Sequence, residues 1–300
     1  MLSFFLIVLF LAQLSVLFID LFDVYLDKKK SNPFFSILKK EYFNMIWFIG
    51  LVWLLYFLLQ ILGTYFLPIS WMKQKIWNYL QLETLEKSTW NYRIVFSLIF
   101  TFFVLSFWDY ITHRWILHKK AFWILHEYHH LSKIVMNGIP GVHSRPFGFV
   151  PTALTYIPTS LTILAILPHF LSSQECKLFI LEGIQLFSMI LIFILCLIHS
   201  SFLRKFKSVH RFFSILLVTS PHEHYLHHSS QRECNFGNFS TLWDRLFRSY
   251  VSPLDITLSD EKMGLKYDQD YLGTLCLGKW KISKENRLKY RLNETLNIDL

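Results

Sequence analysis

The sequence predicts an all-α, polytopic membrane protein: four to five transmembrane or re-entrant helices carrying a cytosolic, histidine-rich helical cap. Three observations lead there. Of the 300 residues, 53% are hydrophobic and only 17% are charged, against about 25% charged in an average soluble domain. The apolar residues are gathered into long blocks. Apart from His169, the histidines collect beyond the ends of those blocks.

The blocks run in order as Leu2–Ile19, Met45–Ile69, Ile94–Trp108, Phe147–Leu171 and Leu178–Ile198. The first three carry no charge, the fourth is broken only by prolines and His169, and the fifth holds a single acid, Glu182. Blocks of roughly 18 or more apolar residues read as bilayer-spanning helices; the third reaches that length if extended to Thr112. The first block has no basic segment before it and no small-residue cleavage site after it, so an uncleaved helix is expected there rather than a signal peptide.

The net charge of +9 does not point to nucleic acid, because the basic residues flank the hydrophobic blocks. Lys28–Lys30, Arg114 with Lys119 and Lys120, and Arg204, Lys205, Lys207 and Arg211 all do so. Basic loops favour the cytoplasmic side. If the fourth and fifth blocks form a hairpin, the alternation of spans puts all these clusters on that one face. That membrane would be the endoplasmic reticulum in a eukaryote and the inner membrane in a bacterium. Phe202–Leu217 is basic and aromatic and suits an interfacial helix. Three regions result: 1–93 with the N-terminal membrane helices, 94–250 as the catalytic domain, and 251–300 as a mixed-charge cytosolic tail. Four cysteines without CxxC spacing argue for neither disulfides nor a cysteine-held metal.

The chemistry lies in the histidines. His113 and His118 fall in HRWILH, then His126, His129 and His130 in HEYHH, and His222, His224, His227 and His228 in HEHYLHH. On a helix, positions i, i+3 and i+4 lie at about 0°, −60° and +40°. His126, His129 and His130 therefore share a face, as do His224, His227 and His228. Three converging neutral imidazoles suit Fe, Zn, Cu or Ni. His113 and His118 would diverge by about 140° on an ideal helix, so they reach one site only if the helix ends or unwinds near Ile116. Asp109, one turn before His113, is a candidate acceptor for an imidazole N–H, and Glu127, Glu223 and Asp244 are others. Trp243 and Phe247 are expected to pack the cap onto the membrane part.

Two other classes fit part of the pattern. His126-Glu127-Tyr-His-His130 is a literal HExxH, which would make His126 and His130 zinc ligands and Glu127 the base of a membrane metalloprotease. It leaves His113, His118, His129 and most of the third box idle. A metal transporter would place ionisable groups inside the spans, and these spans are nearly free of them.

The stretches Trp108–His118 (WDYITHRWILH), His126–His130 and Ser220–Phe247, with its NFG and WDRLF, resemble the fatty acid hydroxylase or sterol desaturase superfamily of membrane di-iron oxygenases, over about Trp108 to Tyr250. The resemblance implies a four-helix membrane scaffold with a cytosolic cap. It implies two iron ions, O₂ as co-substrate and an external electron donor of cytochrome b5 or ferredoxin type. It implies oxidation of a membrane lipid by hydroxylation or desaturation, and it adds His199, in LIHSS, as an isolated ligand. The expected ligand set is then His113, His118, His126, His129, His130, His199, His224, His227 and His228. His210 and His222 stay unassigned. The His-x₄-His first box resembles the sphingolipid fatty-acid 2-hydroxylase branch. The third box is more similar to the alkylglycerol monooxygenase and sterol C-5 desaturase branches, which leaves the lipid open.

Overall fold

The computed structural model describes residues 91–119, 121–123, 149–200, 202–229 and 233–257, with Leu11, Leu14, Ser15, Phe18, His126 and His130 as single positions. The expected second span, most of the first, and His129 and Glu127 lie outside the described residues. What is described is helical; the only pairing of extended backbone among these residues is an isolated bridge between Val218 and Ser240.

Helix α1 (Tyr92–Ile111) begins on Asn91, whose side chain accepts the amides of Arg93 and Ile94. It runs on without a break into a π-helical turn, Thr112–Leu117. Together they make 26 residues, the one described helix long and apolar enough to cross a membrane, where about 20 suffice. Its buried face carries Ser97, Thr101 and Ser106, small residues that let neighbouring helices come close.

Helix α2 (Phe149–Ile166) contains Pro158. Proline has no N–H, so the carbonyl one turn earlier, that of Leu154, loses its helical partner. The Thr112 hydroxyl, at the start of the π turn, donates to that carbonyl at 3.2 Å. Trp108 Nε1 donates to Thr162 Oγ1 further along the same contact.

A 3₁₀ turn, Leu167–His169, then reverses the chain. Helix α3 (Ser173–Leu178) starts with a capping box between Ser172 and Glu175, and a π turn, Phe179–Gly183, leads into α4 (Ile184–Ile198). The 3₁₀ turn and α3 join the fourth and fifth blocks. They meet the start of α1, where Asn91 Nδ2 donates to Glu175 at 2.7 Å and Arg93 lies 3.7 Å from the same carboxylate. Ile94, Leu167, Leu171, Leu178 and Phe179 pack there, and Leu105, Phe187, Leu191 and Phe239 pack further down. The C-termini of α1 and α4, and with them His113, His118 and His199, therefore emerge at the opposite end of the bundle.

The cap covers that end. After a turn at Leu203–Lys205 comes α5 (Lys207–Ile215), which buries His210 and exposes Phe212 and Ile215. Helices α6 (Pro221–His227) and α7 (Leu242–Leu246) follow. The cap is pinned to α1 by Trp243, which donates to Ser106 at 2.9 Å and packs edge-on against Phe107, and by Phe247, stacked on Tyr110.

Candidate metal centre

Eight of the nine histidines read from the sequence lie among the described residues, and they fall into two groups. His113, His118, His126, His130 and His227 form one; His199, His224 and His228 form the other. Within each group the ligand atoms lie within 4.8 Å of one another. The groups adjoin, with the rings of His130 and His228 stacked at 4.5 Å.

Each element delivers its histidine for a local reason. The π turn closes an i→i+5 bond, from the His118 amide to the His113 carbonyl at 3.1 Å. Residues five apart thus come onto one side, and the two rings lie 5.1 Å apart. The unwinding expected near Ile116 is this turn. Ser220 and Glu223 cap α6 reciprocally, with Pro221 in the first turn. The third box does not act as one face. His224 and His228 are four apart and share a group, whereas His227 turns to the other. Neighbouring positions on a helix differ by about 100°, so His227 and His228 straddle the two groups.

Three of the ring nitrogens facing away from the centres are anchored. His113 Nδ1 donates to the carbonyl of Phe236 at 2.5 Å, His227 Nδ1 to Cys234 at 3.0 Å, and His199 Nδ1 to Leu195 at 2.6 Å. A carbonyl only accepts, so each of these nitrogens carries the proton, and in the neutral ring Nε2 presents a lone pair. Burial holds His227 down to about 4, which keeps it neutral near pH 7; its Nε2 is buried without a hydrogen-bond partner.

The Nε2 atoms converge. His126 Nε2 lies 2.9 Å from the Nε2 of both His113 and His130, and His224 Nε2 lies 2.9 Å from His199 and 3.0 Å from His228. One nitrogen can offer at most one proton, so hydrogen bonds do not satisfy such a set; a cation does. The separations are those of neighbouring nitrogens around one divalent ion with bonds of about 2.1 Å. The residues present therefore fit a metal in each group.

Trp123 lies against His118, His126 and His130, with ring centroids 5.2, 5.9 and 5.4 Å away. Phe236 lies against His113, His118 and His227. Two aromatic walls thus screen the five-histidine group. His210 and His222 join neither group. Their rings face each other at 5.5 Å, and His210 Nδ1 contacts Ser220 Oγ at 2.9 Å.

Two supporting roles differ from the sequence reading. Among the described residues Asp109 takes no imidazole N–H; it accepts the amide and side chain of Asn238 at 3.1 and 3.2 Å. Asp244 likewise binds backbone, accepting the amides of Phe236 and Gly237, each at 2.8 Å. The anchors on His113 and His227 are main-chain carbonyls, which no side-chain pattern announces; the NFG triplet was the available signal.

A family model described as fatty acid hydroxylase matches residues 98–249, just over half of the 300-residue chain, and covers every histidine in both groups. No curated protein and no solved structure matches the chain significantly. That domain implies lipid oxidation of the hydroxylase or desaturase kind and an oxidoreductase associated with membranes. With its clustered, cation-ready imidazoles and its matched domain, the chain belongs to the fatty acid hydroxylase family, within the sterol desaturase/fatty acid hydroxylase superfamily.

Proposed function

We propose that this chain is a multi-pass membrane oxygenase that uses two iron ions and O₂ to hydroxylate or desaturate an acyl, alkyl or sterol carbon of a membrane lipid. The observation that carries the reading is the pair of adjoining imidazole groups, five and three rings, with lone pairs turned inward. His113, His118, His126, His130 and His227 would hold one ion; His199, His224 and His228 would hold the other, with His129 as a further donor. Iron is preferred to zinc because C–H oxidation with O₂ needs a redox-active centre, and iron supplies the electrons that activate O₂.

The chain's own residues do the rest. Main-chain carbonyls hold three imidazoles in the tautomer a metal requires. Trp123 and Phe236 keep bulk water from the reactive end of the site. The site lies where apolar α1 and α4 end, so a lipid chain can enter from the bilayer while its headgroup stays at the surface. Exposed Lys205, Lys207 and Arg211 surround that end of the bundle, which favours the cytoplasmic face. No haem, flavin or nicotinamide motif is present in the sequence, so electrons come from a separate protein, of cytochrome b5 or ferredoxin type. The metalloprotease reading gains nothing from the geometry. His126 and His130 sit in a group of five, three more donors than an HExxH pair provides.

Metal analysis of the anaerobically purified chain tests this. About two irons per chain, with an oxidised lipid accumulating in cells that express it, is the expected result. One zinc per chain, with cleaved membrane peptides and no oxidised lipid, would sink the proposal.

A further inference from the structure

Between α6 and α7 the segment Cys234–Asn238 is buried, irregular backbone, and its polar groups are divided by direction. Two of its carbonyls face the five-histidine group: Cys234 accepts from His227 and Phe236 from His113. Three of its amides go to carboxylates, and that of Asn235 goes to the Ser249 carbonyl at 3.0 Å. Asp244 holds Phe236 N on Oδ1 and Gly237 N on Oδ2, both at 2.8 Å, while Asp109, from α1, holds Asn238. Asn235 stands at a positive φ of 52° and ties the segment to Val251 in both directions. Thr219 Oγ1 donates to the Gly237 carbonyl at 2.6 Å. Asp244 is 1% exposed and Asn235 1%.

We infer that Asp244, with Asp109 beside it, is a positioning residue for one metal of the two: it holds the loop whose carbonyls set the tautomer and orientation of His113 and His227. This rests on the two-metal reading above and goes beyond it by making the sites unequal in their support. The three-histidine group does not use this loop. His199 takes its anchor from Leu195, one turn back on its own helix α4. Disturbing the loop therefore weakens the five-histidine ion and spares its neighbour.

Asp244→Asn is the sharp perturbation. An amide offers one acceptor oxygen where two loop N–H groups need one each, and its NH₂ would face an N–H. Phe236 or Gly237 loses its partner and the carbonyl between them is released. Loss of such an outer support typically lowers metal affinity by about 10–100-fold.

The test uses the full chain in detergent, stripped of metal and titrated with Co²⁺ while the visible ligand-field bands are followed. Wild type is expected to take two Co²⁺ with two resolvable spectra. His227→Ala identifies the band of the five-histidine ion. Asp244→Asn should weaken that same band's ion by about 10–100-fold and leave the other's midpoint unchanged. Ser249→Ala removes only the hydroxyl that Asp244 Oδ1 also accepts, at 2.7 Å, and should titrate as wild type. Should Asp244→Asn cost the fold, seen as lost helical circular dichroism, Asp109→Asn carries the same expectation from the loop's far end. Equal weakening of both ions in a folded variant, or no weakening in either, overturns the inference while the two-metal reading stands. A wild-type chain that binds no Co²⁺ overturns that reading itself.

Discussion

Replacing Gly237 with alanine should cost stability and metal together, and the size of the effect follows from the geometry of the loop. A Cβ at this position would press into the carbonyl oxygen of Ser240 and come within 3.0 Å of Asp244 Oδ2. The first obstacle is main chain. Ser240 is held in place by the bridge to Val218 and by its hydroxyl on the Leu217 carbonyl, and its neighbours by Thr219 N to Phe239 O and Thr241 N to Leu217 O. The loop must therefore move instead, pulling Gly237 N away from Asp244. Overpacking of a tight interior costs about 1–3 kcal/mol, and a hydrogen bond to a charged acceptor is worth about 1.5–3 kcal/mol. Together they give about 3 kcal/mol, since partial relaxation trades one against the other. Urea unfolding of the full chain in detergent, followed by tryptophan fluorescence in the presence of chelator, measures it. A loss below about 0.5 kcal/mol, the range of ordinary surface changes, would refute the claim that the Gly237 backbone is held against Ser240.

Adjacent histidines should have separate effects: His227→Ala and His228→Ala are each expected to lose one metal signal, and a different one, because the two rings belong to different groups. Identical Co²⁺ spectra from the two variants would contradict the partition. The metal-free chain should also weaken in mild acid. Burial depresses His227 to about 4, whereas an unfolded histidine titrates near 6.5. Between those values the unfolded state binds a proton that the folded state refuses, so stability falls as pH drops from about 6.5 to about 4, by about 3 kcal/mol from this ring. Unfolding midpoints at pH 7, 5.5 and 4, compared with His227→Gln, would show a flatter profile in the variant; parallel profiles would count against a neutral, buried ring.

Much of the site was legible because histidine spacing is local chemistry. The i, i+4 pair His224 and His228 comes together because a helix makes it so. The spacing of His113 and His118 announced its own difficulty, and the π turn resolves it. The anchoring of α1 to the cap through Trp243 and Phe247 was likewise readable from large aromatics in a polar segment. Two expectations failed in an informative way. Asp109 and Asp244 were candidate partners of imidazoles because of their place beside the histidine boxes, Asp109 being equally readable as a charge that marks a helix end; both bind backbone amides. A carboxylate satisfies two N–H donors as well as it satisfies a ring, and residue type alone does not distinguish the two uses.

The sequence by itself determined the helical class, the charge-poor segments and the identity of the histidines. Those follow from hydropathy over about 20 residues and from spacings of about one helical turn. Only the tertiary structure decided which histidine serves which group, and what holds it. His227 parts from His228 because α6 lies between the ends of α1 and α4. His113 finds its anchor on Phe236, 123 residues away in the chain. Contacts at such separations depend on how whole helices pack, and main-chain carbonyls leave no trace in side-chain identity.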